Sequence, residues 1–511
     1  MNNCAFQRFS KEMDMILQSA NEELSVSIRK CSCILRLYSW LIDAYILDFF
    51  VEDLWKKLPR SWRETMAGAD FSEVGMWLSL SQAPRYRSPW PLSLQALRVA
   101  VQSACLPRSS GGPAHPLLAT HPTPATATPT AQVPPSDGSH ECHTTAEVTL
   151  RCTHADALRE GSGAKGLRRP FLKHVSPKKI HEIFKMADVV CQIAEETGVT
   201  CVVDVGSGIG HLARLLSFGH GLSVCCIEAQ ETLSCRAREL DGEIKKFLSK
   251  IIPEERLKAL PRPSHVTARV GPELEESDFI QMVSQSFQGS FHLAFGIVGL
   301  HPCGDLAPYL MQLFVSCSEA RFLCIAGCCY MKLTPGIGFP LSSSGNDRDE
   351  VMQLSYEARE MACHAIEAYS RNLLHGNAAS LKIHCYRATL ESIILKNWPM
   401  FRRRGLKSIK YDENLQFPDY ARKVLSAANL IPPEEDILSE ETNECLRCWK
   451  QVVCFYSLRL MFAPLVETLI LLDRCLFLSL KGVRCKVSPE FDPELSPRSH
   501  LLIASKNAEV V

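Results

Sequence analysis

Apolar and polar positions change period along this chain, and those changes predict its elements. Leu35, Leu37, Leu41, Ile42, Tyr45, Ile46, Phe49 and Phe50 recur at helical spacing and lead into Trp55, Pro59 and Trp62. From about residue 170 the pattern is different. A helix is expected from Pro177 to about Thr197, with the proline in its first turn. Short apolar runs then alternate with helical stretches: Cys201–Val205, Leu222–Ile227, His265–Val270, Phe291–Gly299 and Arg321–Ala326. Such alternation predicts a parallel sheet covered by helices on both faces. After about Pro340 the helical period returns. Two last strand candidates, Val483–Val487 and His500–Ser505, flank a proline-rich turn and suit an antiparallel pair at the sheet's end.

This pattern divides the chain into an N-terminal helical region (1–107), a linker (108–169) and an α/β domain (170–511) carrying a helical insertion at about 345–480. The linker is set apart by composition. Between Gly111 and His140 the single charged residue is Asp137, among Pro, Thr, Ala, Ser and Gly. A segment so poor in large apolar side chains cannot offset its ordering entropy, so disorder is expected.

The stretch 452–480 is apolar enough to suggest a membrane helix. Arg459, Glu467, Asp473 and Arg474 interrupt it, and a charge at the centre of a span costs at least about 2.5 kcal/mol. A buried core helix is the better expectation, and membrane association is disfavoured. The 511 residues are 46% hydrophobic, and 56 basic side chains equal 56 acidic ones, which excludes a global polycation. Twenty-three cysteines without the spacing of secreted modules, and no signal peptide, predict reduced thiols in the cytosol or nucleus. Nothing in the pattern specifies an oligomeric state.

The chemistry concentrates where apolar runs end. Cys201–Val205 leads into Gly206, Ser207, Gly208, Ile209, Gly210 and His211. Glycine lets the backbone turn sharply and approach a ligand closely, and the helix start beyond it presents unpaired N–H groups. The third glycine falls one residue too early for a dinucleotide fingerprint, and no Gly-Lys-Ser/Thr follows as in a phosphate-binding loop. Asp204 stands two residues before the first glycine, where a pyrophosphate is repelled and a cationic ligand is favoured. Leu222–Ile227 ends in Glu228, suited to both hydroxyls of a ribose. An acid for an ammonium, a glycine turn for an adenosine and an acid for a ribose together describe S-adenosylmethionine. Asp204, Gly206, Ser207, Gly208, Gly210, His211 and Glu228 are the expected cofactor-binding residues.

Two further words close the fourth and fifth strands, the ends at which a doubly wound sheet places ligands. Gly299-Leu-His-Pro-Cys-Gly-Asp305 supplies His301, Cys303 and Asp305; Gly327-Cys-Cys-Tyr-Met-Lys332 supplies Cys328, Cys329 and Tyr330. His301 or Asp305 could accept a proton from a ribose hydroxyl, and Cys303 could attack a pyrimidine ring as thiolate. His301, Cys303, Asp305 and Tyr330 are the catalytic candidates. The cysteines and His301 lack the usual paired zinc spacing, and Cys445-x-x-Cys448 has no partner pair nearby, so no metal is assigned.

The glycine turn, Gly-Leu-His-Pro-Cys-Gly-Asp-Leu, Gly-Cys-Cys-Tyr-Met-Lys-Leu, the stretch Ala463-Pro-Leu-Val-Glu-Thr-Leu-Ile-Leu-Leu-Asp-Arg474 and the closing Leu-Ser-Pro-Arg498 resemble the methyltransferase-like 25/25B family, also called ribosomal RNA adenine dimethylase domain-containing. The likeness covers about residues 30–100 and 170–511. It implies a class I S-adenosylmethionine methyltransferase fold, Rossmann-like, mostly parallel with an antiparallel end hairpin, and an RNA substrate. Adenine N6 enzymes resemble one another in an Asn/Asp/Ser-Pro-Pro-Tyr/Phe word after strand four. Here that place reads His301-Pro-Cys-Gly-Asp305, closer to the tRNA ribose 2′-O-methyltransferases that act on the acceptor stem, so base and ribose acceptors both remain open. Lys173, Lys178 and Lys179, and the run Arg402, Arg403 and Arg404, are the expected RNA contacts, since such patches hold phosphates without reading sequence. A protein methyltransferase and a non-catalytic interaction protein that keeps the fold are the alternatives.

Overall fold

A computed structural model describes residues 2–79, 84–109, 175–287, 294–342, 353–404, 406, 409, 412 and 414–506. The expected linker, apart from Arg108 and Ser109, lies outside the described residues, as do Lys173 and His174.

The apolar runs do form strands. β1 (Cys201–Val205), β2 (Ser223–Glu228), β3 (Ser264–Thr267), β4 (Phe295–Cys303) and β5 (Ala320–Cys328) are parallel, and β7 (His500–Ser505) runs antiparallel to both β5 and β6 (Arg484–Pro489). The seven strands lie in the order β3-β2-β1-β4-β5-β7-β6. All five residues of β1 are buried, which is why this strand reads as a continuous apolar run broken only by Asp204. The helix Pro177–Glu196 is capped by the Ser176 hydroxyl, which accepts from Lys179 N–H at 3.4 Å; its Ile183, Met186, Ala187 and Val190 join the core with Val202, Val224 and Phe322.

The strand order reverses between β1 and β4, where the chain leaves the sheet in opposite directions and opens a crevice at the carboxyl ends. The ends of β1, β2, β4 and β5, which carry the sequence words, lie at that edge. Two strands run further than their apolar patterns suggest. β4 continues through the His301-Pro302-Cys303 word by a bulge: Leu300 pairs with Ala326, the register then shifts, and Cys303 pairs with Cys328. Pro302 has no N–H to donate to the ladder, and His301 takes a left-handed conformation (φ 72°) to absorb the extra residue.

The chain divides into two compact units. One comprises residues 1–26, 107–348 and 471–511 and holds the sheet; the other comprises 27–106 and 349–470 and is helical. The helices expected as a separate N-terminal region and those expected as an insertion therefore fold together. Gly75 shows why: a Cβ there would lie 2.9 Å from Leu373 Cβ, and its carbonyl accepts the Ser370 hydroxyl at 2.8 Å. Such a contact between distant segments has no local signature. Among the described residues no helix is long and apolar enough to cross a membrane. The helix Ala463–Leu480 carries its charges buried, with Asp473 accepting from Leu341 N–H at 2.7 Å and Ser342 N–H at 3.1 Å.

Candidate active site at the carboxyl edge of the sheet

The glycine turn hangs from the end of β2. Gly206 N–H donates to the Ile227 carbonyl at 2.8 Å, and Gly208 N–H donates to the Glu228 carboxylate at 2.9 Å. Gly206, Gly208 and Gly210 all adopt positive φ (73°, 57° and 74°), which a side chain would strain. A Cβ on Gly208 would meet nothing within 4 Å among the described residues, so the turn is open to them there. The Ser207 hydroxyl, buried beside it, has no hydrogen-bond partner among the described residues. An orphaned hydroxyl, an open glycine turn and a carboxylate already aligned by backbone N–H groups fit an adenosine-type ligand.

Asp204 lies beneath the turn, almost wholly buried. Burial, reinforced by the nearby Glu228 charge and opposed by Lys179, pushes its carboxyl up to about 7. A cation bound here would favour the ionised form. Glu228 also accepts from Gln230 N–H at 3.0 Å, so both its oxygens are oriented before any ligand arrives.

His211 opens the short helix His211–Arg214. Burial, with Arg214 and Lys179 adding to it, pulls its imidazole down to about 3 and keeps it neutral. It accepts from Arg214 Nη2 at 3.1 Å through Nδ1. Arg214, buried, pairs with Asp241 at 3.0 Å, and Asp241 holds His265 Nε2 at 2.6 Å. This chain of side chains supports the turn from below: a Cβ on Gly210 would sit 3.3 Å from both Arg214 Nη1 and the His265 ring. Sequence reasoning missed Arg214, Asp241 and His265. Only the helical position of Arg214, three residues after His211, offered a signal.

At the end of β4, His301 Nε2 lies 3.0 Å from Glu182, a buried acid on the Pro177–Glu196 helix. Burial works to raise the Glu182 carboxyl, but hydrogen bonds from His301 and Ser496 outweigh it and hold the group below the ordinary range. Ser496 donates to its other oxygen at 2.5 Å. Neither partner was legible in the sequence. Replacing Ser496 with alanine is expected to cost about 2 kcal/mol, because a buried carboxylate loses a charge-assisted donor. Urea denaturation of the variant against wild type measures it.

Cys303 comes beside Cys328 and Cys329, with Sγ–Sγ distances of 3.3 and 3.4 Å. The hydrogen bond from Cys328, against the effect of burial, lowers the Cys303 thiol well below its ordinary value, and the same interaction raises Cys328. Asp305 and Tyr330 are placed otherwise than the sequence suggests. Asp305 accepts from Thr334 N–H at 2.8 Å and the Thr334 hydroxyl at 2.5 Å, which ties down the segment after β5. Tyr330 is buried beneath Arg474, whose guanidinium carbon sits 5.8 Å from the ring centre. His301 and Cys303 are thus the two candidates at the crevice, next to the glycine turn; Leu306 in the following helix would lie 3.7 Å from a Cβ on Gly206.

The basic residues differ in how far their charge is free. Lys178 Nζ lies 3.6 Å from Glu182 and its side chain is 46% exposed. In the helical unit Arg402 pairs with Asp48 and Glu52, Arg403 pairs with Asp48 and Glu357, and Arg404 stands 5.5 Å over the Phe401 ring.

Residues 178–336, the stretch that holds β1 to β5, match the family described as Methyltransferase domain. The chain is 24% identical over 458 residues to Probable methyltransferase-like protein 25 of Mus musculus, covering 66% of this chain and 76% of that one. It is 23% identical over 478 residues to the Homo sapiens protein of the same name, covering 69% and 78%. Among solved structures it aligns with the plantazolicin methyltransferase BpumL in complex with SAH, at 12% identity and a TM-score of 0.20, covering 56% of this chain and 93% of that one.

Proposed function

We propose that this methyltransferase-domain chain transfers a methyl group from S-adenosylmethionine to RNA. The observation that carries the donor is the Gly206–Gly210 turn, hung on β2 with Asp204 beneath it and Glu228 at its side. Glu228 takes the ribose, the turn lies against the adenosine, and Asp204 faces the cationic end. The donor supplies an electrophilic methyl group when bound.

His301 is the proton acceptor at the crevice. With Nε2–H given to Glu182, its Nδ1 retains a lone pair for the proton of an acceptor hydroxyl or amine. Glu182 orients the ring, and Ser496 orients Glu182. Lys178 and Lys179 supply the phosphate contacts nearest the site; Lys179 is close enough to act on both Asp204 and His211. Arg402 and Arg403 add less, because Asp48 and Glu52 take up their charge.

Purified full-length protein is expected to move labelled methyl from S-adenosylmethionine into total RNA, with the label falling at least about 100-fold in His301→Ala, within the range general-base catalysis supplies. Nuclease digestion and mass spectrometry of the labelled nucleoside then identify base or ribose. Label appearing only in protein would overturn the RNA reading. Tight donor binding without label in either fraction would favour a non-catalytic interaction protein.

A further inference from the structure

The three cysteines at the crevice are gathered by backbone features that packing alone does not require. Cys303 and Cys328 end neighbouring strands and face each other in the ladder. Cys329 follows Cys328 directly, and consecutive side chains on a strand point to opposite faces. Here they converge, with Sγ atoms 3.7 Å apart, because Cys329 is left-handed (φ 46°). That conformation is uncommon outside glycine and costs roughly 1–2 kcal/mol. The loop is held over Cys303: a Cβ on Gly304 would lie 2.9 Å from the Lys332 carbonyl oxygen.

A second feature points at the same place. Arg474 is 1% exposed, and its Nε, Nη1 and Nη2 have no hydrogen-bond partner among the described residues. Nη1 would stand 2.5 Å from a Cβ on Gly327, the residue before Cys328. Its neighbour Asp473 is committed to Leu341 and Ser342. A buried guanidinium so placed needs negative charge nearby.

We propose that Cys303, Cys328 and Cys329 bind a thiophilic divalent ion of the zinc class as three thiolates, with a fourth coordination position left open. Tetrahedral zinc with Zn–S bonds of about 2.3 Å separates its sulfurs by about 3.8 Å, a few tenths of an ångström beyond the distances seen here. One divalent ion, three thiolates and the Arg474 guanidinium sum to neutrality. The three thiol protons leave to solvent as the metal enters. Cys303 is exposed, so the open position faces the crevice and takes water or an atom of the acceptor. A disulfide is the competing use of these groups, but it pairs two sulfurs and leaves the third over. The site stands independently of the proposed methyl donor.

The test uses the full chain purified from zinc-supplemented cells. Elemental mass spectrometry is expected to find one zinc per chain, and exchange with cobalt(II) alone to give thiolate-to-cobalt charge-transfer absorption. Cys303→Ser, the exposed position, is expected to weaken zinc at least about tenfold in competition with a chromophoric chelator, as is Cys329→Ser, with unchanged circular dichroism. The double variant Cys445→Ser/Cys448→Ser is expected to keep the metal. Metal-free protein with no cobalt–thiolate band, a disulfide among the three cysteines in protein purified without reductant, or full metal content in Cys303→Ser/Cys329→Ser would each overturn the proposal.

Discussion

Affinity for S-adenosylmethionine is expected to fall about tenfold for each pH unit below 7, and to level off above it, in wild-type protein. The reason is Asp204. Its carboxyl is raised to about 7 by burial and by Glu228, and the cationic ligand binds the ionised form. Below pH 7 each ligand must displace a proton, so calorimetry in buffers of differing ionisation enthalpy should register the release of nearly one proton per ligand. Asp204→Asn is expected to bind roughly 10- to 100-fold more weakly at pH 8, the range set by a lost charge-assisted contact, and to show no pH dependence between 6 and 8. A parallel pH profile in the two proteins would remove Asp204 from the site.

The same carboxyl sets a stability trend of opposite sense. Its folded value lies above the unfolded value of about 3.9, so between about pH 4 and 7 the native state binds more protons than the unfolded chain. Stability of the ligand-free protein therefore declines as pH rises through that window, by about 4 kcal/mol in total, and is flat above it. Denaturant titrations should find the decline smaller by that amount in Asp204→Asn.

Gly296→Ala is expected to destabilise the sheet-bearing unit by about 3 kcal/mol and to lower its melting temperature by roughly 5–10 °C. Gly296 lies in β4, paired with Val202 on one side and Phe322 on the other. The Phe322 ring, fully buried, occupies the space where a Cβ would be. The ring cannot move without displacing the Val202, Val298 and Cys324 core, so the clash falls on the two strands that carry the crevice. Phe322→Leu in the same chain should recover part of the loss, giving a clear non-additivity in the double-mutant cycle. Equal losses from Gly296→Ala in both backgrounds would mean that the ring is not the obstacle.

Most of the sheet was legible because each strand is written within a few consecutive residues. Cys201–Val205 was found with its bounds intact, and the helix after it began at His211 as expected. Strand ends were less legible. β4 and β5 continue into words that look like turns, and only the pairing of Leu300 with Ala326 and Cys303 with Cys328 reveals the bulge. The N-terminal and insertion helices show apolar faces in the sequence, but nothing local says that the Gly75 face meets Leu373.

The site divides in the same way. The glycine turn, Asp204 and Glu228 could be read because strand, turn and next strand end occupy fewer than thirty residues in a fixed order. Glu182 and Ser496, which hold His301 from 119 residues upstream and 314 residues past Glu182 respectively, could not. Asp305 and Tyr330 carried the right chemistry in the right words, yet one is committed to Thr334 and the other is buried under Arg474. The cysteines lack the spacing that advertises a metal site, because their convergence depends on a strand pairing and one left-handed residue.

The sequence by itself therefore determined the strand-turn-helix cradle and the residue types that suit a methyl donor. Those features follow from local backbone preference and from which short segments are apolar. Only the tertiary structure decided which polar groups face the crevice and which are tied down, what holds His301, and that three cysteines share one space. Burial and charge pairing act between segments hundreds of residues apart, and linear order does not encode which of them will meet.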